Sequence, residues 1–473
     1  MPHASSEETV PASITRKLAE FVHQTTWDDI QPIRNVLECG LLDYIGLASY
    51  AVDHVASSPV FIEAVNNLSA TGPGSVLGLS RRYQAQYSAL LNGTLVHSMD
   101  WDDTNSVASL HPGASAISAA LAQAELEMSA AAPGGGRKVT GHEFLTAVAV
   151  GYEVTCRLGR SISDVLHRVG FHPTCVAGVF GAAATAGKLA GFDAGQIEHL
   201  FGVVGSMASG SLQCFENGGW NKRFHPGIAA HNALLGVQFV KAGMVGAARA
   251  IDGKRGLLYA YARLPEPDLH IVDALSSFWE TSNTAIKPYP SCRLTHGPIE
   301  AAYELRKHFL PDLDSALPLD DTTIEVTVGS KAFQGVGSTA PNKIRPTNIV
   351  EGQFSLYFQF AVAWLHGRNT WDSYRLLQDE KVLALCRRIT VRVDDDLRDG
   401  SLVTVARIGD RAVKIEHPLG EPGNPIGLPE VEAKFLPMAE KVYGVQGARD
   451  ILTLFHDLEN QDDLSVFTRA LRT

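Results

Sequence analysis

The densest group of proton-handling side chains is His97-Ser-Met-Asp-Trp-Asp-Asp-Thr104, followed closely by Leu110-His-Pro-Gly-Ala114. If one helix carries the chain to about Thr104, then His97, Asp100 and Thr104 share a face at i, i+3 and i+7. His111 stands just ahead of Pro112, and proline in a first helical turn suits its fixed φ and missing donor. The positive end of that helix's dipole would favour a neutral, proton-accepting imidazole at His111. A second His-Pro pair, His172-Pro173, opens another run of small residues. Two polar segments follow, Asn217 to His225 with Lys222, and Ile286 to His296 with Lys287 and Cys292. Histidines, one aspartate and lysines at helix entries suit acid–base work on an anionic substrate.

Each segment also has a plainer reading, as a solvated acidic helix end or a polar loop with a structural histidine. Asp100-Trp-Asp-Asp103 fits the DxDD pattern that protonates alkenes in terpene cyclases, but 8% aromatic residues gives little sign of the long aromatic cavity such chemistry needs. The three aspartates offer oxygen ligands to a divalent cation, yet no second acidic cluster completes a site. There is no HExxH, CxxC, GxSxG or Walker motif, and no GxGxxG after a strand. We therefore expect neither a metal nor a cofactor.

These residues need elements to hold them. A chain of 473 residues is about three times a typical ~150-residue domain. Its 45% hydrophobic and 19% charged residues are ordinary globular composition. The net charge of -11, without basic runs, argues against nucleic acid or an anionic membrane as partner. Six scattered cysteines, a polar segment from Met1 to Ala12 and no long apolar run suggest a reduced, cytoplasmic protein.

Apolar residues at helical spacing predict helices at Ile14 to Val22 and Val36 to Ala48. Thr140 with Glu143, and Asp193 with Gln196, read as capping boxes. Small-residue helices are expected at Ala114 to Ala124, Val176 to Ala190 and Val203 to Ser211, with a further helix opening at Gly227. Ala130 to Gly136 reads as a connector. Alternation then predicts strands at Thr323 to Val328, Ile389 to Val393, Leu402 to Val405 and Arg411 to Glu416. The organisation expected is mainly α: a helical domain (10–280), an inserted α+β lid (281–415) and C-terminal helices (416–473) completing the first domain.

Taken together, these segments resemble the MmgE/PrpD family of lyases and isomerases. The resemblance spans nearly the whole chain. It rests on the His97-to-Thr104 motif with His111, on Phe171-His-Pro173, on Gly218 to Arg223 with Ala229 to Gly236, on Gly297 to Ala301 after Lys287, and on Leu458 to Ser465. It implies a helical domain with a smaller lid, a homodimer, and a site between the two parts. The implied chemistry is dehydration of 2-methylcitrate, decarboxylation of cis-aconitate or epimerisation of iminodisuccinate, with no cofactor. Matching positions are Asp100, Thr104, His111, His172, Lys222 and Lys287. Cys292 stands where animal cis-aconitate decarboxylases carry a histidine.

On that footing Lys222 and Lys287 are expected to clamp substrate carboxylates, with Thr104 and Cys292 as further substrate contacts. His111 is the expected proton carrier, His172 the second, and Asp100 the group that orients them. The leading reading is a lyase on a small di- or tricarboxylic acid. The alternatives are an epimerase of a dicarboxylate and a carboxylate-binding protein without catalysis.

Overall fold

The computed structural model describes residues 13–129, 135–264, 268–309, 323–398 and 400–473. The polar segment before residue 13 and most of the expected connector at 130–136 lie outside the described residues.

The local start signals of the helical part act as the sequence implies. Ser13 accepts the amide of Arg16 at the head of Ile14–Gln24. Thr140 and Glu143 bond reciprocally at the start of Gly141–Arg168, and Asp193 and Gln196 do so at Ala194–Val204. Each box satisfies amides that a helix N-terminus leaves unpaired. Pro112–Met128 buries its first 14 residues completely, so it is a central helix, covered on all sides.

The Ala85–His97 and Asn221–Lys241 helices cross at their glycines. A Cβ on Gly93 would lie 2.7 Å from the Gly227 Cα, and one on Gly227 would lie 2.2 Å from the Leu90 carbonyl oxygen. Only glycine permits that approach. One turn from the crossing lie His97 on one helix and His225 with Lys222 on the other.

The small-residue segment after Val203 departs from expectation. The helix ends at Val204, and residues 205–211 turn instead. Gly210 takes a φ of 116°, open to glycine, and its carbonyl accepts the His172 amide at 2.8 Å. Tertiary demand overrides helix propensity here, and the segment holds His172 in place.

Beyond residue 284 the chain builds a four-stranded sheet. Ile324–Val328 runs parallel to Ile389–Val393 on one side and antiparallel to Thr404–Ile408 on the other; Arg411–Ile415 completes the edge. The helices His296–Phe309 and Leu356–His366 pack together, the first also against the sheet. Leu428–His456, bent at Gly444 (φ 72°), returns to pack on Arg34–His54 in the helical part. Among the described residues the result is mainly α, with one four-stranded sheet and two two-stranded pairings. Among the described residues no helix is long and apolar enough to cross a membrane.

Candidate active site

The Ala85–His97 helix does not continue to Thr104. It stops at His97, and Asp100 enters the left-handed region at φ 50°. Two causes act together. Continuation would set Asp100, Asp102 and Asp103 at the negative end of the helix dipole, and aspartate tolerates the left-handed region better than most side chains. Thr104–Asn105 instead pairs antiparallel with Thr284–Ala285. This pairing brings Lys287, two residues beyond Ala285, beneath Asp100.

Lys287 is fully buried, with Nζ 3.1 Å from Asp100 Oδ1 and a second bond to the Asp100 carbonyl. Lys222 approaches the same Oδ1 to 3.0 Å and also lies 3.0 Å from His97 Nε2. Its helix begins at Asn221, earlier than the Gly227 expected, so Pro226 is interior. Proline there removes the amide donor that the Lys222 carbonyl would otherwise receive.

Behind this, Asp102 Oδ2 lies 2.8 Å from His97 Nδ1 and 3.3 Å from His111 Nδ1. His172 Nδ1 lies 3.0 Å from His225 Nδ1. The His97 ring is centred 4.6 Å from that of His111 and 5.8 Å from that of His172. Four imidazoles, two aspartates and two lysines thus form one connected cluster.

Charge is sorted within it. Burial alone would raise Asp100, but Lys222 and Lys287, and then His111 and His97, hold its carboxyl well below the usual carboxylate range. Asp102 is likewise held ionised against burial by His97 and His111. Burial pushes His97 down to about 3 even beside Asp102, and burial with Lys222 pushes His225 down to about 4. His172 falls well below the ordinary histidine value for the same two reasons. These three imidazoles are neutral at pH 7. Burial raises the Cys292 thiol, so it stays protonated.

A cavity of about 650 Å³ opens over the cluster, within the size range of small-molecule sites. Of the seven residues named from the sequence, six line it: Asp100, Thr104, His111, His172, Lys222 and Cys292. Lys287 does not; it supports Asp100 from beneath. Thr104 Oγ1 donates to the Leu110 carbonyl at 3.2 Å, so towards a substrate it offers a lone pair more readily than its proton. Arg293, Lys331 and Lys343, from the sheet-bearing part, also line the cavity. Sequence reasoning quoted Arg293 only within its segment and did not single out the two lysines, which sit in the short helices Ser330–Ala332 and Pro341–Ile344 without distinctive spacing.

The three aspartates do not converge as a metal site would require. Asp103 turns away, accepting the Gly113 amide at 3.2 Å beside the Tyr152 hydroxyl. A Cβ on Gly113 would fall 2.3 Å from that hydroxyl, so glycine is needed after His111-Pro112. The one trio able to share a cation among the described residues is His97, Asp102 and His111. Its 2.8 Å His97–Asp102 contact is already a hydrogen bond.

Asp103 carries a pH prediction. Burial first, then the Asp102 charge, push its carboxyl up to about 8 from 3.8. A raised folded-state value means its contribution is fully present below the unfolded value and is lost as pH rises through the folded one. Asp103→Asn keeps the shape without the ionisation. Its stability relative to the parent should therefore improve steadily between about pH 4 and pH 8 in urea titrations. A pH-independent difference would mean Asp103 is already ionised at neutral pH.

A mainly helical fold carrying an acid–base cluster beside a cavity lined by three lysines and an arginine defines a class of protein suited to small anionic molecules. The comparisons narrow it. Residues 16–270 match the MmgE/PrpD N-terminal domain and residues 289–460 match the MmgE/PrpD C-terminal domain. The chain belongs to the MmgE/PrpD family. It is 30% identical to the cis-aconitate decarboxylase-like protein oryM of Aspergillus oryzae, over 81% of this chain and 80% of that protein. It is 25% identical to the cis-aconitate decarboxylase of Aspergillus terreus, over 100% of this chain and 98% of that protein. The mouse cis-aconitate decarboxylase is 26% identical over 83% of this chain and 79% of its own length.

Proposed function

We propose that the protein is a lyase that decarboxylates a small unsaturated polycarboxylic acid of the cis-aconitate type, without a cofactor. The observation that supports this most is His111, a partly exposed imidazole on the cavity wall, 3.3 Å from the ionised Asp102 and 3.9 Å from Asp100 Oδ1. As the C–C bond to the departing carboxylate breaks, its electron pair moves into the conjugated system, and carbon must then take a proton. His111 delivers that proton, and Asp102, 3.3 Å from its Nδ1, orients the ring. Hydrogen-bond donors and cations fixed where the negative charge develops are usually the largest catalytic term. Lys222 stands at that position, held by Asp100 and His97.

Incubation with cis-aconitate should release one CO₂ per turnover and leave a five-carbon diacid. Water loss or gain without CO₂ would replace this reading with a dehydratase. Inversion of a dicarboxylate such as iminodisuccinate without either would make the protein an epimerase, in which His111 and His172 act as two bases.

Lys222→Met should raise the KM for an anionic substrate about tenfold or more, on the scale of one charge-assisted hydrogen bond, and lower kcat as well. Lys287→Met should act mainly through a loosened Asp100. The two losses should fail to add in the double variant, because both lysines hold one carboxylate. Steady-state kinetics of the three variants measures this; parental kinetics in both single variants would remove the lysines from the mechanism.

A further inference from the structure

The cavity's cations differ in how far their charge is already met. Lys222 is paired with Asp100, Arg293 with Glu421, and Lys331 with Asp164 and Ser109. Lys343 is different. Its Nζ donates to two main-chain carbonyls, Gly335 at 2.8 Å and Phe354 at 3.0 Å, and no carboxylate lies within ion-pair distance of it among the described residues. An ammonium has three donors, so one remains. The side chain is half-buried on the cavity wall, and burial lowers its pKa from the ordinary lysine value. Its Nζ lies 5.7 Å from the Phe354 ring centre, and the Lys222 Nζ lies 5.6 Å from that same centre. Both cations, one from the helical part and one from the sheet-bearing part, thus stand near the same aromatic ring of the cavity lining.

On the floor of the site, Asp100 and Asp102 offset Lys222 and Lys287, while His97 and His172 are neutral. The two lysines of the floor are therefore already offset by two carboxylates. We propose that Lys343 is a specificity-determining residue that binds a substrate carboxylate additional to those met at Lys222, so that the site selects a tricarboxylate over the matching dicarboxylate. This rests on the carboxylate-lyase reading of the same cavity and names its substrate class. A bound carboxylate would take the third donor and restore the charge that burial disfavours.

Two saturated acids that cannot react, propane-1,2,3-tricarboxylate and glutarate, differ only by the middle carboxylate. Calorimetric titration of the full-length protein with each should show the tricarboxylate bound about tenfold to a hundredfold more tightly, the scale of one hydrogen bond to a charged group. Lys343→Gln keeps donors for the two carbonyls and removes the charge, so it should abolish that preference while leaving glutarate affinity near the parental value. Lys343→Arg should retain the preference. A parental protein that binds both acids equally, or a Lys343→Gln variant that keeps the preference, would overturn the role of Lys343 alone. A parental protein that binds neither acid would overturn the carboxylate-lyase reading together with it.

Discussion

His111→Ala will leave the protein folded and lower turnover by about 10²–10⁴-fold, the usual contribution of one positioned acid–base group. His111 precedes the first turn of Pro112–Met128 and remains partly exposed, so its removal opens no sealed core cavity. What is lost is the one imaginable proton carrier that both faces the cavity and contacts Asp102. His97 touches Asp102 more closely but is sealed from the cavity lining, and His172 is paired with His225. The measurement is kcat together with near-ultraviolet circular dichroism of the variant. Near-parental kcat in a folded variant would transfer the role to His172.

Asp100→Asn should cost about 3–5 kcal/mol of stability, the scale for removing one partner of a buried ion pair, and should abolish activity as well. Asparagine preserves volume but leaves two ammonium groups facing a neutral amide, one of them, Lys287, fully buried. Adding Lys287→Met to Asp100→Asn removes the stranded charge and should recover part of the stability without recovering activity. Denaturant unfolding of the single and double variants decides it. A single variant as stable as the parent would show that the lysines do not depend on Asp100 for their charge.

Much of this arrangement was legible in the chain because it is local. Capping boxes at Thr140 and Asp193, the two His-Pro entries and the alternation in Ile324–Val328 each declare themselves within a few residues. What the sequence concealed is non-local. After the helix ends at His97, Thr104–Asn105 pairs with Thr284–Ala285, more than a third of the chain away. That pairing turns Lys287 from an expected cavity-facing clamp into a buried support for Asp100. The approach of Asp102 to two histidines was hidden because helical spacing grouped His97 with Asp100 and Thr104 instead. Lys343 had no signal, since a lysine in a four-residue helix has significance only through the cavity it borders.

The central claim is proton transfer at carbon next to a carboxylate, with His111 as the carrier. The most direct test is incubation of the parental protein and His111→Ala with a panel of di- and tricarboxylic acids in D₂O, followed by proton NMR. The account predicts that the parental protein converts at least one acid with deuterium appearing at the carbon beside a carboxylate, and that His111→Ala loses this signal. A parental protein that binds these acids yet neither converts nor deuterates any of them would contradict it.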